Sequence, residues 1–329
     1  MKDRPVVVIA DQLTEEFEER WTKSFENIDA KLVTISKEDG SDLHSAVKGC
    51  DAIITEKREI DREVLKQAGQ NLRLVLKLSD WLTDIDRESC DKLGIKVETV
   101  PQLGSISVAE HAITLMLTCL RDVIPSHLGV RDGKYREQGL TPEETTERSF
   151  AFKWLPVKPV EVYEKTLGIV GLGEIGKEVS QRARSLGMKV IYFDPNRLPD
   201  QWEDKLGVEY SSFEGVLKNS DVITLHVPHT ERTENLIGKE EFAKMKSSAY
   251  LINTCRGGVV DESPFIESLK NEDIGGAGLD VFEKEPLPAD SPLTNQENVV
   301  LTCHIGGGSG TGWNDLMNKI EDSIENNLR

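Results

Sequence analysis

The sequence predicts an α/β protein with two domains, each built on a doubly wound parallel sheet, and with a cleft between them. Residues 6–99 and residues 167–302 each alternate short apolar segments with polar segments of helical period, which is typical of parallel sheets covered by helices. The 329 residues are enough for two domains that each bury a core. A hydrophobic content of 38% and a charged content of 30% are those of an ordinary globular protein.

The first stretch opens on the apolar run Val6–Ala10, which predicts a buried strand because it is too short for the core of a signal peptide. Four more strands and four helices are predicted after it. The strands are Lys31–Ile35, Ala52–Thr55, Leu74–Leu78 and Lys96–Thr99, and the helices are Glu15–Phe25, Ser41–Lys48, Arg62–Gln67 and Asp86–Lys92.

A longer helix is predicted at Ser105–Leu120. Ser107 is placed to cap it, and Glu110 follows three residues later as the second member of a capping box. Its second half, Ala112–Leu120, is almost entirely apolar, so it must be buried inside the protein or against another subunit. Residues 121–165 are polar, with several glycines and prolines, and predict an extended linker.

The second stretch predicts six further strands, at Leu167–Val170, Lys189–Phe193, Val222–Val227, Ala249–Asn253, Gly276–Leu279 and Val299–Thr302. A terminal helix is predicted at Gly312–Arg329, and we expect it to pack back on the first domain.

The formal net charge of −18 and the pI of about 4.9 predict a surface that repels phosphates and anionic membranes. Neither nucleic acid nor a membrane is therefore an expected partner. The five cysteines are scattered without paired spacing, which favours a reduced, cytoplasmic protein and offers no cysteine metal site. They are Cys50, Cys90, Cys119, Cys255 and Cys303.

A glycine-rich turn, Gly171-Leu-Gly-Glu-Ile-Gly176, directly follows a predicted strand and opens a helix-like run. Gly171 permits the tight turn, Gly173 lets the backbone approach a pyrophosphate, and Gly176 lets the helix pack close to the sheet. The helix N-terminus offers N–H groups and a positive dipole end to the phosphates. The turn therefore predicts a Rossmann-like dinucleotide site, with a ligand-free glycine turn as the alternative.

Asp194 ends the next predicted strand, 18 residues after Gly176. Its carboxylate is placed to accept hydrogen bonds from the ribose hydroxyls of the adenosine and to repel a 2′-phosphate. The predicted cofactor is therefore NAD (NADH), and NADP is less favoured. Arg197 lies near enough to leave that preference open.

Four later segments follow the glycine turn in a fixed order: Asp221-Val-Ile-Thr-Leu-His-Val-Pro228, Leu251-Ile-Asn-Thr-Cys-Arg-Gly-Gly-Val-Val-Asp-Glu262, Gly278-Leu-Asp-Val-Phe-Glu-Lys-Glu-Pro286 and Leu301-Thr-Cys-His-Ile-Gly-Gly307. Together with residues 105–120, this set resembles the D-isomer-specific 2-hydroxyacid dehydrogenase family. The resemblance implies two Rossmann-like or flavodoxin-like domains, a homodimer, and NAD-dependent interconversion of a 2-oxo acid and a D-2-hydroxy acid. It places the NAD-binding domain, dimerisation helix and linker at residues 105–304, and the substrate-binding domain at residues 1–104 and 305–329.

The resemblance implies Arg256, Glu285 and His304 as the catalytic residues. The chemistry is sound in itself, because Arg256 offers a planar fork of donors that matches a 2-oxo carboxylate and its carbonyl. His304 can pass a proton to or from the carbonyl oxygen, with Glu285 orienting the imidazole. The expected cofactor-binding residues are Gly171, Gly173, Glu174, Ile175, Gly176, Asp194, Val227, Pro228, Thr233, Thr254, Cys255, Asp280 and Gly306, whereas His111, His226 and His229 are interpreted as structural or peripheral.

The segment that corresponds to the family's substrate loop departs from the family pattern. Ser79 and Trp81 replace its two glycines. A second loop, at residues 100–107, has Gly104 where an asparagine is common in the family. We expect Lys77, Ser79, Asp80 and Trp81 to contact the substrate, with Trp81 narrowing the pocket, stacking on the substrate or filling a gap. Two alternatives to the main function stay open: an NAD-binding regulatory protein like the family's corepressor branch, and a dehydrogenase that acts on a different acid.

Overall fold

The computed structural model describes residues 4–37, 42–79, 81–101, 103–142, 144, 155–308 and 312–328. The chain divides into two compact units, unit 1 (Met1–Gly104 and Ser309–Arg329) and unit 2 (Ser105–Gly308). The chain returns from unit 2 to unit 1 at residues 308–309 rather than at the expected 304–305. The Gly306 N–H donates to the Asp280 carboxylate over 2.8 Å, and this bond keeps the intervening loop with unit 2.

The strands and helices follow one another in the order β1 (Val6–Leu13), α1 (Glu15–Phe25), β2 (Lys31–Ser36), α2 (Leu43–Ala46), β3 (Ala52–Thr55), α3 (Arg62–Ala68), β4 (Leu74–Lys77), α4 (Arg87–Leu93), β5 (Lys96–Thr99), α5 (Leu103–Leu120), α6 (Val123–Arg131), β6 (Thr166–Val170), α7 (Glu174–Ser185), β7 (Lys189–Phe193), α8 (Asp200–Leu206), β8 (Glu209–Tyr210), α9 (Phe213–Asn219), β9 (Val222–Leu225), α10 (Lys239–Phe242), β10 (Tyr250–Asn253), α11 (Glu262–Lys270), β11 (Gly276–Leu279), β12 (Val299–Leu301) and α12 (Gly312–Leu328). Short 3-10 turns lie at Lys134–Gln138, Gly257–Val259 and Pro292–Asn295.

Within the described residues, unit 1 is built on a five-stranded parallel sheet in the order β2-β1-β3-β4-β5. All five predicted strands are confirmed, with ends that differ by at most a few residues. Apolar side chains cover both faces of the sheet, because every strand of a buried parallel sheet is apolar along most of its length.

The terminal helix α12 packs on one face of the unit 1 sheet, as predicted. Ile320 and Ile324 are buried in the same cluster as Ile9 and Leu76. Trp313 at its start meets Trp21 of α1 edge to face, with ring centroids 5.2 Å apart. The last helix of the chain therefore completes the core of the first domain.

In unit 2, the part of the chain that the structure describes forms a seven-stranded parallel sheet in the order β12-β11-β10-β9-β6-β7-β8. The predicted α/β class, with two doubly wound parallel sheets, is confirmed. The strand order reverses between β6 and β9, and ligands of such sheets bind outside the carboxyl ends of the strands at this point. The two-residue edge strand β8 was not predicted, because it is too short to give an alternating pattern.

Three expectations about residues 103–165 are wrong. The helix α5 begins at Leu103, so Ser107 lies inside it and its hydroxyl donates to the Gly308 carbonyl (3.0 Å) instead of capping the helix. Glu110 is no capping partner but faces Arg182 of α7 at 3.6 Å. The linker contains a helix, α6, whose proline lies in the first turn, where its missing N–H costs little.

Among the described residues, no single helix is long and apolar enough to cross a membrane. The pair α5 and α6 meets the length and composition together, but the two helices are bent by 62°.

Candidate active site

The glycine turn lies between β6 and α7, at the reversal of strand order in unit 2. Gly171 has φ +93°, and a Cβ on it would lie 2.5 Å from the His226 carbonyl oxygen. A Cβ on Gly176 would lie 2.4 Å from the Gly171 oxygen, so neither position accepts a side chain. A Cβ on Gly173 would meet no atom within 4 Å, so this side of the turn is open. A tight turn with one open backbone position fits the close approach of a pyrophosphate.

Asp194 lies where β7 ends, beside this turn. Its Oδ2 accepts the Leu172 N–H over 2.9 Å, and its Oδ1 accepts the Asn196 N–H over 2.9 Å. These two bonds hold a half-buried carboxylate against the glycine turn. The position fits recognition of an adenosine ribose.

Among the other predicted cofactor residues, Glu174 and Ile175 begin α7, whereas Val227, Pro228, Thr233, Thr254 and Cys255 follow the neighbouring strands β9 and β10. Val227 and Pro228 follow β9, and the Thr233 hydroxyl donates to the Pro228 carbonyl over 2.5 Å, which folds that loop. Thr254 follows β10 and is 7% exposed, and its Oγ1 has no hydrogen-bond partner among the described residues. A buried hydroxyl without a protein partner fits a ligand at this edge.

Arg256 is held by the loop that follows β10. The side-chain amide of Asn253 donates to the Arg256 carbonyl (3.0 Å) and accepts the Cys255 N–H (3.0 Å). A Cβ on Gly257 would lie 1.9 Å from the Phe282 backbone, so only glycine fits next to Arg256. The Arg256 side chain is exposed, and Nη1 donates to the Cys255 carbonyl over 2.5 Å. An exposed guanidinium is thus carried on a backbone that is held in place.

His304 and Glu285 form a direct pair in unit 2. His304 Nδ1 lies 2.6 Å from Glu285 Oε2, and Glu285 Oε1 accepts the Phe282 N–H over 3.1 Å. Burial raises the pKa of Glu285, but its hydrogen bonds and the charges of His304 and Arg256 outweigh burial and lower that pKa overall. Glu285 is therefore ionised at neutral pH, and His304 Nε2 is the ring nitrogen left for a substrate.

Asp280 holds the loop that carries His304, whose φ of +56° is a left-handed conformation. The buried Asp280 carboxylate accepts the backbone N–H of Ile305 (3.0 Å) and of Gly306 (2.8 Å), and the hydroxyl of Thr302 (2.6 Å). These bonds outweigh the effect of burial and lower the pKa of Asp280. Asp280 thus supports His304 through the backbone, in addition to its predicted place in the cofactor site.

His111 joins this cluster, although the sequence suggested only a structural or peripheral role for it. Its Nε2 lies 2.9 Å from Thr302 Oγ1 and 3.2 Å from Asp280 Oδ1. The Thr302 hydroxyl donates its one proton to Asp280, so it can only accept a hydrogen bond from His111. Nε2 of His111 is therefore the donor to Thr302. Its position on α5, where it also packs beside Gly306, gave no signal in the local sequence.

Two other groups near these strand ends are not ionised at neutral pH. Burial raises the pKa of the Cys255 thiol to about 11, so no thiolate is present at neutral pH. Burial lowers the pKa of His226 to about 3, and its Nε2 lies 2.9 Å from Thr224 Oγ1. A neutral imidazole in this place agrees with the structural role expected of His226.

In unit 1, the predicted substrate residues lie at and after the end of β4. Lys77 is fully buried, and its ammonium pairs with Asp84 at 2.6 Å and donates to the Glu56 carbonyl. Ser79 Oγ accepts the Trp81 N–H over 2.8 Å, and Trp81 is 4% exposed. Asp80 lies outside the described residues. The expected charge of Lys77 is therefore balanced locally by Asp84.

Known proteins resemble this chain over most of its length. The sequence model of the "D-isomer specific 2-hydroxyacid dehydrogenase, NAD binding domain" matches residues 113–306. A glyoxylate reductase of Korarchaeum cryptofilum is 38% identical over 86% of this chain and 80% of its own length. A D-3-phosphoglycerate dehydrogenase of Archaeoglobus fulgidus is 34% identical over 97% of this chain, which spans only 56% of that relative. The structure of D-lactate dehydrogenase from Escherichia coli covers 98% of this chain and 96% of its own, with 25% identity and a TM-score of 0.56.

Proposed function

We propose that this chain, which belongs to the D-isomer-specific 2-hydroxyacid dehydrogenase family, interconverts a 2-oxo acid and a D-2-hydroxy acid through Arg256, Glu285 and His304. It is an NAD-dependent oxidoreductase. The observation that carries the assignment of residues is the 2.6 Å pair of His304 and Glu285 with the Arg256 charge beside it. When bound, NADH supplies the hydride for reduction.

His304 supplies the proton in this proposal. Its Nδ1 is engaged by Glu285, so Nε2 passes its proton to the substrate oxygen while the carbonyl carbon gains the hydride, and the carbonyl becomes a hydroxyl. In the oxidative direction the neutral ring removes the hydroxyl proton. The ionised Glu285 pairs with Nδ1 and holds the ring in place.

Arg256 orients the substrate in this proposal. Its exposed fork of donors matches the carboxylate and the neighbouring carbonyl oxygen of a 2-oxo acid in one plane. The Asn253 bonds and the glycine at position 257 fix the backbone beneath it. The carbonyl carbon is thereby presented in one orientation, which a stereospecific reduction requires.

We assign binding of the dinucleotide to the glycine turn, Asp194 and Thr254 of unit 2. We assign unit 1 to binding of the substrate. Lys77, Ser79, Asp80 and Trp81 stay predictions as substrate residues. The relatives named above act on different acids by name, so the identity of the acid is a separate question.

The direct test is an NADH-oxidation screen over 2-oxo acids graded in size and charge, beginning with glyoxylate. We expect turnover of at least one of them and, wherever the product is chiral (glycolate, the product of glyoxylate, is not), a D configuration on chiral chromatography. Incubation without a 2-oxo acid is the control for NADH oxidase activity. Failure of every 2-oxo acid, in a preparation that binds NADH, would remove the proposed reaction.

We also propose a homodimer. Much of the apolar half of α5 is buried within its own unit, with Leu115 and Met116 at most 2% exposed. The helix α6 instead leaves Val123, Ile124 and Val130 exposed at 46%, 44% and 49%. We expect sedimentation at twice the chain mass and a shift towards monomer in Ile124→Asp; a wild-type protein that is monomeric throughout contradicts the proposal.

A cytoplasmic location also stays a prediction, which cell fractionation would check.

A further inference from the structure

Arg197 lies on the turn that follows Asp194, three residues further along the chain. The Asn196 N–H is bound by Asp194 (2.9 Å), and the Leu198 N–H is bound by the Tyr192 hydroxyl (2.9 Å), so the turn is held close to β7. An arginine in this neighbourhood is the side chain that accommodates the 2′-phosphate of NADP in this type of fold. The chain therefore carries a carboxylate suited to NAD and a cation suited to NADP on one turn.

The Arg197 guanidinium is already engaged by Glu203 of α8. Nε lies 2.9 Å from Oε1 and Nη2 lies 2.8 Å from Oε2, which is a two-point fork between the groups. Asp200 adds a third bond to Nη2 at 3.0 Å, and the guanidinium lies 5.3 Å from the centre of the Tyr210 ring. Most of the donors that would meet a phosphate are thus committed to protein groups.

Glu203 is itself fixed in place. It is 8% exposed, and its Oε1 also accepts the hydroxyl of the fully buried Tyr192 over 2.6 Å. If Arg197 turned towards a ligand, a buried carboxylate would lose its cationic partner, which is strongly unfavourable. The buried carboxylate therefore opposes any movement of Arg197 towards the coenzyme.

We propose that Glu203 is a positioning residue for coenzyme choice: it holds Arg197 away from the adenosine 2′ position and so maintains the preference for NAD over NADP. The inference rests on the assignment of Asp194 to the adenosine ribose. Asp194 repels a 2′-phosphate, and Glu203 removes the one cation on that turn that would offset the repulsion.

The test measures the adenosine end alone, by calorimetric titration with AMP and with adenosine 2′,5′-bisphosphate. In Glu203→Gln the two-point ion pair is lost and Arg197 keeps its bond to the exposed Asp200, which is a weak restraint. The bisphosphate therefore binds about tenfold more tightly, as expected for one new charged hydrogen bond. AMP affinity stays within about twofold, since AMP has no 2′-phosphate. The double variant Glu203→Gln with Arg197→Gln loses the gain.

Asp204→Asn is the matched control, because it removes one negative charge from the same helix at an exposed position that makes no side-chain contact with Arg197. The Asp204→Asn variant leaves the ratio of the bisphosphate affinity to the AMP affinity unchanged. In steady-state assays of Glu203→Gln, the KM for NADPH falls while kcat with NADH is retained. A merely structural role of Glu203 would instead weaken both coenzymes together.

Three outcomes overturn the proposal. The first is a Glu203→Gln protein with an unchanged affinity ratio, and the second is a gain that persists in the double variant. The third outcome concerns Arg197→Gln, with Glu203 unchanged. Glutamine keeps a donor to Glu203, so this variant should not weaken bisphosphate binding. A tenfold loss of bisphosphate affinity would show that Arg197 already contacts the 2′-phosphate. Failure of the wild-type protein to bind AMP would instead refute the placement of the dinucleotide.

Discussion

Replacing His304 by alanine should reduce turnover of a 2-oxo acid about a thousandfold, since general acid–base groups contribute roughly that much. The exposed imidazole packs little and pairs with Glu285, so the variant loses the proton donor without creating a cavity. NADH affinity, measured by fluorescence titration, should stay within about twofold, because the glycine turn and Asp194 are untouched. Unchanged turnover would exclude His304 as the acid.

His44→Ala is the matched control, because His44 is exposed on α2 of the other unit. It should retain wild-type turnover and NADH affinity. The His304→Ala variant also separates an enzyme from an NAD-binding regulatory protein. A regulatory protein would keep any NADH-dependent change in assembly and would show no 2-oxo acid turnover in the wild type.

Arg256→Lys should lower kcat/KM for a 2-oxo acid by about a hundredfold, with most of the change in KM. Lysine keeps the positive charge but loses the planar fork, and each charged hydrogen bond contributes about 1.5–3 kcal/mol. The exposed side chain makes one bond to its own backbone neighbour, so the melting temperature should change little. Initial rates over a range of 2-oxo acid concentrations, at saturating NADH, measure this effect.

Arg87→Lys provides the control, since Arg87 is half exposed on α4 and pairs with Asp91 at 3.9 Å. It should leave the kinetics unchanged. If Arg256→Lys behaved like this control, substrate orientation would have to come from another residue.

The local sequence was sufficient to predict the glycine turn between β6 and α7. The turn Gly171–Gly176 needs glycine for steric reasons that act within a few residues and at one neighbouring strand, so its pattern is readable in the chain. Arg256, Glu285 and His304 were identified from the resemblance, which depends on the order of several motifs. The structure adds the contact between Glu285 and His304, which are 19 residues apart.

Other features depended on contacts that no local pattern records. The polar composition and the several glycines and prolines of residues 121–165 suggested a linker, yet α6 forms within it because Pro125 lies in the first turn and Gly129 packs against Leu155. Ser107 has the composition of a cap but lies inside α5, where it meets Gly308.

The sequence by itself determined the α/β class, the strand positions, the dinucleotide turn and the family, because periodicity, turn chemistry and ordered motifs are properties of neighbouring residues. Only the tertiary structure decided which charged groups are paired within the protein and which are available to a ligand. It pairs Lys77 with Asp84, Arg197 with Glu203, and Asp280 with the backbone that carries His304. Burial makes an unpaired charge unfavourable, so these groups are paired within the fold, and their partners are residues that the chain brings together only when it is folded.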